Sequence, residues 1–141
     1  MTEIRVACYI DGFNVYHAID DMSRGQRGTL NHLKWLDLWA LMECFTDPNI
    51  HKVAAVNYFS AFMEWHPERA GRHAEYVKAL QWRGVKPVMG RFKEKDAFCK
   101  NCKTTYTARE EKESHVNVAT HLVSDAYDDK FDGEVLGSLE N

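Results

Sequence analysis

The apolar run Val6-Ala7-Cys8-Tyr9-Ile10 ends in Asp11, Gly12 and Asn14. An unbroken run of this length predicts a buried strand that delivers a carboxylate to the carboxyl edge of a sheet. Val15, Ala18 and Ile19 follow at helical spacing, and residues 23–28, with two glycines and two arginines, end that helix. Residues 31–45 place Leu33, Leu36, Leu41 and Phe45 close enough to helical spacing to predict one amphipathic helix, with Trp35 and Trp39 read as core. Asp47-Pro48-Asn49 stops it, and residues 51–60 read as a second buried strand. A helix over 67–83 starts on Pro67, has Gly84 in its capping position, and turns Ala70, Ala74, Val77 and Leu80 to the sheet. Residues 85–90 are a third strand, with Pro87 near its start or at a sheet edge.

Strands and helices that alternate without hairpin turns predict an α/β fold, a parallel sheet flanked by helices on both faces. Over 114–127 the apolar positions Val116, Ala119, Val123, Ala126 and Tyr127 make one stripe, which the periodicity assigns to the interior. Ser114, Asn117, His121 and Asp125 make the opposite face.

At 141 residues the chain is one domain, 1–141, of ordinary globular composition. No apolar run reaches the roughly 18 residues of a membrane span, and no secretory pattern precedes the first strand, so the reading is cytoplasmic, with no membrane partner. The net charge of −3 argues against a globally basic nucleic-acid binder. The balance is local: residues 91–109 carry six basic and two acidic side chains, interleaved with Phe92, Phe98 and Tyr106. Arg91, Lys93, Lys95, Lys100 and Lys103 in that setting suit phosphate attraction combined with stacking on unpaired bases; a solvated hairpin with local aromatic packing is the plainer alternative.

The candidate chemistry starts at Asp11, which can hold a hard divalent cation. Gly12 permits a sharp turn or close approach, and Asn14 caps a helix or bonds phosphate. A strand followed by an Asx turn accounts for the same residues without any chemistry. Arg24 and Arg27 are either part of a solvated loop or phosphate contacts beside Asp11. Cys99-x-x-Cys102 has the spacing of a zinc knuckle but supplies half a site. Histidines of this chain, or the same pair from a second copy in a homodimer, would complete it, and the third alternative is that the pair binds no metal; Cys8 and Cys44 read as packing residues.

Tyr9-Ile10-Asp11-Gly12-Phe13-Asn14-Val15-Tyr16 resembles the opening motif of NYN domains, a branch of the PIN-like ribonucleases. The block from Glu110-Glu111-Lys112 through His115-Val116-Asn117-Val118 to His121-Leu122 resembles a later helix of the bacterial members. The run from Gly90-Arg91-Phe92 through Cys99 and Cys102 to Thr107 is similar to their cysteine-bearing insertion. The resemblance implies a PIN-like, Rossmannoid three-layer fold and a metal-dependent ribonuclease that uses Mg²⁺ or Mn²⁺ on single-stranded RNA. Asp11, Asn14 and His115 take the catalytic positions, and Asn117 stands at the helix start, where N–H groups can orient phosphate.

The chain departs from that pattern twice. NYN relatives usually have an aspartate where this chain has His115; one carboxylate plus imidazole suits softer ions, and a protonated His115 would repel a cation and bind phosphate itself. Residues 134–141 begin like the strand that leads into the family's last acidic motif and then stop, leaving an incomplete C-terminal part with Glu140 near the third acidic position. These departures support two alternatives: a catalytically degenerate RNA-binding or interaction module, and a zinc-linked dimer.

Overall fold

The computed structural model describes residues 2–26, 29–112 and 114–137. The element order is β1 (Ile4–Asp11), α1 (Gly12–Arg24), a 3-10 turn (Asn31–Trp35), α2 (Leu38–Cys44), β2 (His51–Ala61), α3 (Pro67–Trp82), β3 (Lys86–Phe98), β4 (Thr105–Lys112), α4 (Ser114–Tyr127) and β5 (Gly133–Gly137). The five strands form one sheet in the order β4-β3-β2-β1-β5. β1 pairs in parallel with β2 and β5, and β2 with β3, whereas β4 returns antiparallel along β3. The sheet is therefore mostly parallel, with one hairpin at its edge.

β1 lies between two neighbours and sends alternate side chains to opposite faces. Val6, Cys8 and Ile10 pack with Val56, Tyr58, Leu38, Met42, Val77 and Leu80, which places α2 and α3 on one face. Ala7 and Tyr9 pack with Phe59, Val118 and Leu122, which places α4 on the other. Burial on both faces is why the strand reads as a continuous apolar run. In α1, Ile19 is buried and Val15 packs against the first core, as the spacing predicts. α3 begins at Pro67 and ends in a Schellman motif: Gly84, at φ +91°, donates to Gln81 O, and Val85 N donates to Leu80 O.

The single helix expected over 31–45 is two pieces. Leu36 is extended, and Asp37 caps α2 by accepting from Ala40 N at 3.1 Å. Arg83 Nε donates to the second Asp37 oxygen at 2.6 Å, and Tyr76 Oη donates to Leu36 O at 2.7 Å, so α3 fixes the break. Trp39 packs on the core, whereas Trp35 and Phe45, expected inside, stand 55% and 70% exposed. β3 runs eight residues beyond the expected strand end, and the basic insertion is the β3–β4 hairpin itself.

α4 is turned the other way round from the expectation. Val116, Val123 and Tyr127 face solvent, as do Ala119 and Ala126, while Ser114 is buried and Val118 and Leu122 pack on the sheet. Polar contacts explain the inversion: Tyr9 Oη, in β1, donates to Asp125 Oδ2 at 2.8 Å, and the His121 ring stands edge-on to Phe59 at 5.5 Å. Asp125 is further held by Lys130 at 2.8 Å. Periodicity ranks positions by apolarity alone, and a hydrogen-bonded Tyr–Asp pair inverts that ranking. Among the described residues no helix is long and apolar enough to cross a membrane.

Candidate functional site

Asp11 is the last residue of β1 and the N-cap of α1. Its Oδ1 accepts from Phe13 N at 3.0 Å and Asn14 N at 3.3 Å, so the Asx turn and the site are one feature. The side chain is 7% exposed, and its Oδ2 lies 3.6 Å from Nε2 of His115, the second residue of α4. The histidine itself is 87% exposed. The expectation from the sequence brought these two residues together, as the fold does, across 104 positions of chain.

It missed Glu111. This residue sits near the end of β4, opposite Phe92 of β3. Burial, then the negative charge of Asp11, pushes its carboxyl up to about 7, with His115 opposing the shift. Among the described residues its buried Oε1 has no hydrogen-bond partner, and neither has the buried Oγ of Ser114, which opens α4. A partly desolvated carboxylate beside a second one, with an orphaned oxygen, is an environment short of positive charge. The signal in the sequence was the carboxylate four residues before His115; what hid it was the absence of any cue that the hairpin folds back to β1.

Asp11 and Glu111 could hold a hard divalent cation: they are two carboxyl groups close enough for the charge of one to act on the other, and such a coordination sphere has room for water and phosphate oxygens. Among the described residues no group of three or more His, Cys, Asp or Glu side chains is arranged as a metal cluster.

The phosphate-binding residues expected from the sequence divide by position. Phe92, at the base of the hairpin, packs edge-on against Phe13 at 5.5 Å and Trp65 at 4.8 Å, which ties the hairpin to the first turn of α1. Arg91, Lys93 and Lys95 alternate on one side of β3, and Glu94 on the other side pairs with Arg109 at 3.0 Å. Lys100 and Lys103 stand in the turn at the tip, where Lys103 takes φ +55°. Asn117 lies in the first turn of α4, and its carbonyl accepts from or faces Nδ1 of His121 at 2.8 Å.

Arg24 is not beside Asp11. It ends α1, roughly 20 Å of helix rise away, and pairs with Asp20 and Asp21. Arg27 and Glu140 lie outside the described residues.

Cys99 and Cys102 flank the hairpin turn, closed by Lys103 N donating to Cys99 O and Cys99 N donating to Thr104 O. The Thr104 hydroxyl, 2.8 Å from Cys102 Sγ, and then Cys99 draw the Cys102 thiol down to about 7. Cys8 is the opposite case, a core thiol pushed up to about 11 by burial.

No family model matches this sequence, and neither a curated protein nor a solved structure does.

Proposed function

We propose that the chain is a metal-dependent ribonuclease of the NYN/PIN-like type, hydrolysing RNA phosphodiester bonds. The observation that carries this reading is the Asp11–Glu111 pair with its unpartnered oxygen at the carboxyl edge of parallel strands, the position where α/β sheets bind ligands. Asp11 and Glu111 would hold Mg²⁺ or Mn²⁺, which when bound supplies an activated water and stabilises charge on the phosphorus oxygens. Glu111, with a carboxyl near 7, takes or gives a proton at neutral pH when no cation is present, and loses that capacity when it binds one. His115, exposed and next to Asp11, is placed to contact a phosphate oxygen. The lysines of the hairpin draw the strand in and hold its backbone, and Asn14 and Asn117 supply neutral donors.

Because His115 replaces a third carboxylate, a second reading has its own support: an RNA-binding module that holds the strand without cutting it. Incubation of single-stranded RNA with the purified protein and Mn²⁺ separates the two. The ribonuclease reading requires cleavage that Asp11→Asn abolishes; equal degradation by both proteins would overturn it, and salt-sensitive binding without cleavage would favour the module.

The low Cys102 thiol also supports zinc at the CxxC pair, completed by a second copy of the chain as a homodimer. Four cysteines carried as thiols suit the reducing cytoplasm.

A further inference from the structure

A cavity of about 440 Å³ opens on the face of the sheet opposite α4, between α1, the 3-10 turn and α3. We propose that it binds one nucleotide of a single-stranded RNA, the base against Trp35 and Tyr16 and the phosphate on Arg69 and Arg72. The proposal deepens the ribonuclease reading and rests on it for the identity of the polymer.

Charge comes first. No acidic side chain lines the cavity, and three cations do. Lys34 is spoken for, 3.3 Å from Asp20 and 5.3 Å from the centre of the Tyr16 ring. Arg69 and Arg72 have no carboxylate partner among the described residues; three apart on α3, they share one side of the helix. Two guanidinium groups without a counter-ion, side by side at a cavity wall, match the forked geometry of a phosphate.

The rim and the floor argue for a base attached to that phosphate. Trp35 and Tyr16 stand 55% and 46% exposed at the rim, large rings of the kind on which unpaired bases stack. The floor is polar and uncharged: Tyr58 Oη and Ser60 Oγ converge on Nε2 of His73 at 3.1 and 3.3 Å, and burial lowers the proton affinity of that imidazole. A site for inorganic phosphate alone would need neither the rings nor a volume within the range of small-molecule pockets.

Position completes the argument. Gly12 and Phe13, the residues directly after Asp11, form part of the wall. A Cβ on Gly12 would come within 2.5 Å of the Tyr58 ring, so the glycine is what lets Tyr58 of the cavity lining pack against the start of α1, next to Asp11. A nucleotide seated here is the immediate neighbour of a phosphate held at Asp11.

The test uses the whole chain without divalent cation, titrated by calorimetry with uridine or adenosine monophosphate, with the matching nucleosides, and with inorganic phosphate. The proposal requires a monophosphate to bind about tenfold or more tightly than nucleoside or phosphate alone. Arg69→Ala combined with Arg72→Ala, and separately Trp35→Leu, should each weaken it by a similar factor while the circular dichroism spectrum stays native. Binding that is unchanged in the arginine double variant, or no tighter than that of phosphate, overturns the proposal. RNA cleavage without monophosphate binding would sink the cavity and leave the ribonuclease; monophosphate binding without cleavage would do the reverse.

Discussion

The charge of Asp11 reaches Glu111: together with burial it pushes the Glu111 carboxyl from an ordinary 4.5 up to about 7. Between those values the native state holds a proton that the unfolded chain has lost, so stability falls as pH rises from about 4.5 to about 7. Glu111→Gln removes that slope. The variant should be more stable than the native chain at pH 8 by about 1–2 kcal/mol, a figure reduced from the full linkage value because the group is partly solvated. Urea denaturation at pH 5 and pH 8 measures it; parallel slopes for the two proteins would mean that Asp11 and Glu111 are not coupled.

His115→Asp puts a carboxylate at the position whose imidazole Nε2 lies 3.6 Å from Asp11 Oδ2. With three carboxylates in reach, Mg²⁺ affinity should rise roughly tenfold, since hard cations follow the ligand charge count. In the absence of cation the same variant should be less stable at pH 8, because three anions repel. A variant that binds Mg²⁺ no better than the native chain would show that position 115 does not face the site.

Gly12→Ala places a methyl group 2.5 Å from Tyr58 Cε2, against a ring that is 4% exposed. The expected loss is about 1–3 kcal/mol. Thermal melting reads it, and a curve superimposable on the native one would contradict the packing of Tyr58 on α1.

Val123 is 69% exposed on the outer side of α4, although the periodicity assigns it to the interior. Val123→Lys should therefore change stability by no more than about 0.5 kcal/mol. Leu122→Lys, one position along and packed against Phe59 and its neighbours, should cost several times as much. Similar losses from both substitutions would restore the orientation that periodicity favoured.

The parts legible in the sequence were those governed by short-range rules. β1, β2 and α3 follow from an apolar run, a second run and a Pro-to-Gly span, because burial on both faces and capping leave direct marks on composition. The break at Asp37 was a capping signal outweighed by apolar spacing on both sides, and Arg83, 46 positions away, makes it decisive. The orientation of α4 depends on one hydrogen bond from Tyr9 to Asp125 and could not be read from either residue's own neighbourhood. The juxtaposition of Asp11 and His115 was legible in the sequence. Glu111 was not, since its chemistry arises only when the β3–β4 hairpin brings it to Asp11.

Calorimetric titration of Mn²⁺ into the native chain, Asp11→Asn and Glu111→Gln at pH 8 tests most directly whether these two carboxylates form one cation site. The account predicts binding by the native chain and its loss in both variants, with Glu111→Gln remaining folded. Binding that survives in Glu111→Gln at native affinity would contradict it.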